Sequence, residues 1–410
     1  MHSINHPSYL SKNNLLFKAV GDICPGDKAI LGLGIYSHMK KYGTDFPFRK
    51  INGLFHDADI VLGNFEGLLS RSVENDEVPG LTFCGLPSFV RELREAGFSV
   101  LNVANNHTLE HGPEIFSETV ALLQGSGINV CGLRDTGPYY SKPVVIEVKG
   151  KTIGIIGYNW VGKDKFPEAD RHIAQSHDSI VNYTWDRDRH RNRTIYAHAH
   201  RQNRHVIGDI ALLKKEADFV ILMSHWGYEF VPYPPYGVTR EAHSFIDAGA
   251  DLIIGGHPHV LQGVELYKGK NIFYSLGNFL FDMSSKQARR TAVLNIEING
   301  ENQVQWRMTP LRINKYFQPT PPTLKEEREI LAIIEKSSEM ILSSKNQVLL
   351  DDDILYREFE KHYNRSKAAA IIRHIKELPR HPGVIKIIYR KLVNFFNLMK
   401  QRLQGEKIRW

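Results

Sequence analysis

From Leu15 to about Arg312 the chain alternates short apolar runs with amphipathic stretches of helical period, and that alternation restricts it to stacked layers of sheet and helix. The runs include Leu16 to Val20, Ile60 to Leu62, Val100 to Val103, Ile153 to Ile156, Phe219 to Met223, Leu252 to Ile254 and Ile272 to Leu276. Among the stretches between them are Ser88 to Ala96, Glu114 to Gln124 and Arg240 to Ala248. The pattern predicts an α/β domain over 15–315, preceded by a flexible segment, 1–14. Near Tyr316 the texture changes. Residues 316–323 include Gln318-Pro319-Thr320-Pro321-Pro322-Thr323, a proline-rich linker that disfavours continued helix or central strand. Residues 324–410, rich in Glu, Lys, Leu and Ile, are expected to form a helical, basic C-terminal region.

Five of the apolar runs end in side chains that bind metals. Lys18 to Gly21 runs into Asp22, Ile60 to Gly63 into Asn64 and Glu66, and Val100 to Ala104 into Asn105, Asn106 and His107. Phe219 to Ser224 runs into His225, and Leu252 to Gly256 into His257 and His259. Binding sites in α/β sheets gather outside the carboxyl ends of strands, so these residues are expected to converge. Carboxylate, amide oxygen and imidazole together suit two divalent transition metal ions (Mn, Fe or Zn), whereas a calcium site would be nearly all oxygen. Pro258 blocks helix, and an extended His257-Pro258-His259 would aim both imidazoles to one side. Each element alone also fits a turn, a helix start or a helix cap. Their repetition is what predicts a metal centre.

Composition sets limits on the rest. With 42% hydrophobic and 24% charged residues the chain is neither mainly disordered nor a disulfide-framed miniprotein. At 410 residues it needs no metal or disulfide staple, so a metal would serve chemistry. Cys24, Cys84 and Cys131 read as reduced thiols. No signal peptide or transmembrane helix is seen, which gives the expectation of a cytoplasmic protein or one peripheral at the membrane. The formal net charge of +7 resides in 380–410, where eight Lys and Arg face one Glu. No specific nucleic acid is expected, because the neutral body offers no track for a polyanionic duplex. Within the tail, 384–403 carries an apolar stripe flanked by cations, the composition of a helix contacting an anionic membrane, or of one docked on the α/β domain. The Arg- and His-rich stretch from Trp185 to His205 reads as a solvated loop or as an anion-binding rim. Trp160 and Trp226 read as buried core or as substrate platforms.

The segments Gly21-Asp22-Ile23-Cys24-Pro25-Gly26-Asp27, Gly63-Asn64-Phe65-Glu66, Ala104 to Gly112, His225-Trp226-Gly227-Tyr228-Glu229, Gly256-His257-Pro258-His259 and Ser275-Leu276-Gly277-Asn278-Phe279 resemble the bacterial capsule-synthesis family of the CapA type, also called poly-γ-glutamate synthesis proteins. That family is related to the calcineurin-like metallophosphoesterases. The resemblance implies a four-layer α/β/β/α sandwich with a dinuclear site between the sheet edges. It implies Asp22, Glu66, Asn106, His225, His257 and His259 as metal ligands, His107 as general acid and Glu110 as the group that orients it. The sequence departs from the wider superfamily at Cys24, where a histidine ligand is usual, and at Asn64, where the bridging aspartate is usual. Cys24 and Asn64 are therefore carried as additional candidates, and Glu66 and Asn64 both remain open as the bridge.

Three functions are compatible with these residues. The first is a metal-dependent hydrolase-like protein of capsule or poly-γ-glutamate synthesis, acting on an anionic polymer or a phosphoester. The second is a non-catalytic assembly or anchoring component that works with other capsule synthesis proteins. The third, a nuclease or nucleotidase, is disfavoured by the neutral body.

Overall fold

A computed structural model of the chain describes residues 14–28, 32–74, 81–135, 137–162, 181–182, 203–343 and 350–377. Each of the seven apolar runs named above lies in or overlaps a strand, and the strands form two large sheets. Leu15–Ile23, Ile60–Phe65, Val100–Asn102 and Asn129–Cys131 run parallel in the first. On its other side the antiparallel Arg290–Ile298, Val304–Ile313 and Pro319–Thr320 complete the sheet, and Asn278–Leu280 pairs with the end of Leu15–Ile23. In the second sheet Lys151–Asn159, Phe219–His225, Leu252–Gly256 and Lys270–Phe273 are parallel. Val144–Val148 and Val264–Tyr267 close its two edges antiparallel.

Successive strand residues face opposite sides, and here both sides are buried. Ile60 and Leu62 of the first sheet meet Phe219, Ile221, Met223, Leu252 and Ile254 of the second in a core between the sheets. Val61 and Phe65 point the other way, against the helices Ile35–Tyr42, Phe89–Ala96 and Pro113–Gly125. Val220, Leu222 and Ile253 likewise face the helices Arg204–Leu213 and Tyr236–Asp247. Three apolar cores between four layers give the α/β/β/α sandwich.

The alternation also decides which polar residues reach the inter-sheet face. Asn64 follows Ile60 and Leu62 by period two, and His225 follows Phe219, Ile221 and Met223. In Leu15–Ile23 the same count would deliver Gly21. The strand instead carries one extra residue, because Ala19 pairs with Leu62 while Asp22 pairs with Asn64. This bulge turns Asp22 inward, a usual role of bulges beside functional sites. The register then aligns Asn278, Asp22, Asn64 and Asn102 in one row across the first sheet. His225 aligns with Asn159 and Gly256 across the second.

Beyond the α/β elements, Pro319–Thr320 is not a bare linker but a short edge strand, a position where proline leaves no central ladder bond unmade. The helix Leu324–Leu342 opens with a Thr323–Glu326 capping box and sends Ile330 and Ile334 into the inter-sheet core. A second helix, Asp352–Glu377, packs Leu355 on the second sheet's outer core. Among the described residues no helix is long and apolar enough to cross a membrane. The expected flexible segment 1–14, apart from Asn14, most of the 185–205 stretch and the amphipathic tail 384–403 lie outside the described residues.

Candidate metal centre

Where the two inter-sheet rows meet, carboxylates from one sheet face imidazoles from the other. Two groups of three residues each offer ligand atoms that all lie within 4.8 Å of one another: Glu66, His257 and His259, and Asp22, Glu66 and His225. All five side chains are buried. Glu66 is common to both groups. Close backbone approach makes the convergence fit: a Cβ on Gly256 would stand 2.6 Å from Asp22 Oδ1, so only glycine admits the carboxylate there.

Amides fix the orientation of the imidazoles. Asn278 donates from Nδ2 to the Ala288 carbonyl at 3.1 Å, which turns its oxygen to His259 Nδ1 at 2.9 Å. His259 therefore carries its proton on Nδ1, and the lone pair of Nε2 faces Glu66 Oε1 at 3.7 Å. His259 Nε2 is buried and has no hydrogen-bond partner among the described residues. An imidazole lone pair held toward a carboxylate oxygen in a dry site is repulsive unless a cation or proton lies between them. The donor set and this orphaned nitrogen fit a divalent transition metal, whose histidine ligands usually give their other N–H to such a partner.

The second chain of amides starts at backbone. Ala104 N–H donates to Asn102 Oδ1 at 3.2 Å, Asn102 Nδ2 donates to Asn64 Oδ1 at 3.0 Å, and Asn64 Nδ2 then donates to Asp22 Oδ1 at 2.8 Å. The same Nδ2 meets His225 Nδ1 at 3.0 Å, which leaves the His225 proton on Nε2, 2.8 Å from Asn106 Oδ1. Asn64 thus presents nitrogen to the cluster and braces Asp22. Burial first, then His259, holds His225 well below the ordinary imidazole value; burial, His225 and His259 do the same to His257. Both rings are neutral at pH 7, and coordination by His225 would require it to give up its contact with Asn64 or with Asn106.

The sequence pattern anticipated Asp22, Glu66, Asn106, His225, His257 and His259, and the fold brings these residues together. The route differs at His257-Pro258-His259. The segment is a tight turn, with φ of +93° at His257 and +57° at His259, and not an extended strand. The strand has ended at Gly256, and left-handed backbone is what turns both rings, with centroids 5.8 Å apart, into the cluster. Such conformations cost about 1–3 kcal/mol each and gather at functional sites. Cys24 is not brought into either group. Its thiol lies 3.8 Å from the Gly26 carbonyl in an apolar cluster with Phe83, Phe281 and Met283, and burial, then Asp282, pushes it well above the usual thiol range.

His107 lies beside the cluster, its Nε2 3.7 Å from Glu66 Oε1 and its Nδ1 3.0 Å from Glu110 Oε2. Phe83 stacks on the ring at 3.6 Å between centroids. Asn105 acts locally, its oxygen accepting the His107 N–H at 3.1 Å and its amide donating to the Phe65 carbonyl. Trp160 and Trp226 are wholly buried, 5.7 Å apart, with their N–H groups given to Asn203 and to the Tyr274 carbonyl, so they are core. Arg204 and His205, at the end of the Arg- and His-rich stretch, line a 570 Å³ cleft with Arg134, Tyr140 and Asp209, and none of the cluster residues borders it. Asn102, Asn278, Phe83 and Lys28 were not assigned roles from sequence. The signals available were a polar residue within the run Val100 to Val103 and the place of Asn278 in the segment Ser275 to Phe279.

The chain matches the bacterial capsule synthesis protein family PGA_cap over residues 17–283. It is 26% identical over 355 residues to a capsule biosynthesis protein CapA of Bacillus anthracis, covering 85% of this chain and 79% of that one. It is 27% identical over 311 residues to the PGA biosynthesis protein CapA of Bacillus subtilis, covering 75% and 73%. Among solved structures it is similar to a hypothetical protein from Thermus thermophilus, with TM-score 0.41, 15% identity and coverage of 73% of this chain and 99% of that one. It is also similar to the NAD nucleotidase of Haemophilus influenzae, with TM-score 0.35, 13% identity and coverage of 86% and 68%. The layer order rests on the sheets themselves. The sequence match spans every residue of the cluster, and the chain belongs to the bacterial capsule synthesis family PGA_cap.

Proposed function

We propose that the chain is a metal-dependent hydrolase of capsule or poly-γ-glutamate synthesis, with two divalent transition metal ions held by Asp22, Glu66, Asn106, His225, His257 and His259. The observation that carries this reading is the buried His259 Nε2, aimed at Glu66 by the Asn278 amide and without a hydrogen-bond partner among the described residues. Glu66 is the shared ligand, because both groups contain it, and Asn64 supports Asp22 from behind. When bound, the ions supply Lewis acidity and water activation near neutral pH.

The remaining chemistry belongs to the chain. Glu110 accepts from His107 Nδ1–H and fixes the ring, so the second proton of the imidazolium sits on Nε2, on the Glu66 side. That proton is placed to reach the leaving oxygen or nitrogen of a bond held at the cluster. Burial of the cluster keeps bulk water from competing for its donors.

The test is elemental analysis of protein purified without chelator, together with turnover on a panel of phosphoesters and γ-glutamyl polymer. Wild type should carry about two ions per chain, and a His257→Ala, His259→Ala double variant should carry fewer. Equal metal content in the two sinks the assignment. Full metal content with no turnover on any substrate favours the assembly role.

A further inference from the structure

The loop after the strand Leu15–Ile23 brings one cation to the centre that none of these steps uses. Lys28 is half-buried, with Nζ 5.3 Å from the ring centroid of Phe83 and 5.2 Å from that of Phe281, within cation–π range. Those rings are parts of the site. Phe83 stacks on His107, and Phe281 meets His259 edge-on at 4.8 Å. The ammonium is thus one ring away from the proposed proton donor and one ring away from a proposed metal ligand.

Burial pulls the Lys28 ammonium toward neutrality, but Glu229, Glu66, Tyr363 and Asp282 outweigh it and raise its pKa, so the group is charged at neutral pH. Its backbone N–H donates to Asp282 at 2.8 Å. The ammonium itself makes no ion pair or hydrogen bond among the described residues. Three N–H donors in a half-buried, aromatic-walled place call for an acceptor from outside the protein.

We infer that Lys28 binds a carboxylate of the substrate beside the bond held at the metal cluster, and so selects acidic substrates. Charge decides between carboxylate and phosphate. Glu229 and Asp282, which lie outside the proposed ligand set, already act on Lys28, and a singly charged group meets less repulsion from them than a dianion does. The position of the cleaved bond rests on the hydrolase reading; the binding of a carboxylate by Lys28 does not.

The experiment uses the full chain and a fluorescein-labelled γ-linked glutamate hexamer, followed by anisotropy at low salt. Lys28→Met should weaken binding by about tenfold or more and Lys28→Arg should keep it within about threefold, because a desolvated charge contact is lost in one and retained in the other. A hexamer with its α-carboxylates amidated should bind wild type and Lys28→Met equally. Metal content is measured on the same samples and should be unchanged by either substitution. Equal binding of the acidic hexamer by wild type and Lys28→Met overturns the inference. So does loss of metal in Lys28→Met, which would assign the residue to the cluster, or a Lys28-dependent preference for inorganic phosphate over the hexamer. Wild type that binds the hexamer through Lys28 but carries no metal would refute the hydrolase reading and leave this inference standing.

Discussion

The first sheet and the loops that follow its strands bring oxygen to the centre, through Asp22, Glu66 and Asn106, whereas the second brings nitrogen, through His225, His257 and His259. Burial acts oppositely on the two sets. It penalises the charged form of each, which means the carboxylates want a cation and the imidazoles become neutral ligands. Neither half is comfortable alone, which is the ground for proposing that they share a cation. A few residues away, the buried Asp27 and Asp282 flank Gly34: a Cβ on Gly34 would lie 2.5 Å from an Asp27 oxygen and 2.7 Å from an Asp282 oxygen. Burial, then Asp282, pushes Asp27 up to about 7. Carboxylates that face nitrogen can hold metal, and carboxylates that face each other hold a proton.

The sharpest way to break that division is to remove a nitrogen that does not coordinate. His107→Asn should lower turnover by about 10² to 10⁴-fold, the usual share of a general acid, while metal content stays at the wild-type level. Loss of metal in this variant would place His107 among the ligands and redraw the boundary between the two sets. Wild-type turnover would remove it from the chemistry.

Asn278→Ala tests the nitrogen side more gently, since it removes the nearer partner of His259 Nδ1 and leaves Asp22 Oδ2 at 3.2 Å. Loss of such an outer partner typically weakens metal affinity by about 10- to 100-fold, measurable by competition with a chromophoric chelator. Cys24→Ser is the matching control on the oxygen side. Its thiol packs among Phe83, Phe281 and Met283 and should leave the chelator titration unchanged. A shift as large as that of Asn278→Ala would make the thiolate a ligand.

The contrast between these residues also shows where sequence stops being legible. The strand ends were readable, because apolar runs that break into Asp22, Glu66, His225 and His257 announce themselves locally. The layers were readable for the same reason. The bulge between Ala19 and Asp22 was not: one extra residue leaves no mark in composition, yet it decides that Asp22 and not Gly21 faces the cluster. The amide chains from Ala104 to Asp22 and from Ala288 to His259 depend on register between strands distant in sequence. Lys28 acquires its place only when Phe83 and Phe281 close around it. The left-handed turn at His257 and His259 runs against local preference, and tertiary packing alone selects it.

The smallest effect expected is on stability, and it isolates the carboxylates that face each other. The folded pKa of Asp27, about 7, lies above its ordinary value of 3.8, so the native state binds the proton more tightly than the unfolded chain. The resulting stabilisation is fully present below about pH 4 and fades as pH rises through 7. Between pH 6 and 8 this one group should remove about 1.4 kcal/mol, since one unit of pH with the proton bound in only the native state is worth that much. Urea unfolding at the two pH values measures it. Asp282→Asn withdraws the second cause of the shift, after burial itself, and should flatten the slope while leaving the three Asp27 hydrogen bonds to Gly32 and Ser37 in place. A slope that is unchanged in Asp282→Asn would mean that burial alone protonates Asp27, and that a facing carboxylate is not what separates this pair from the oxygen atoms of the cluster.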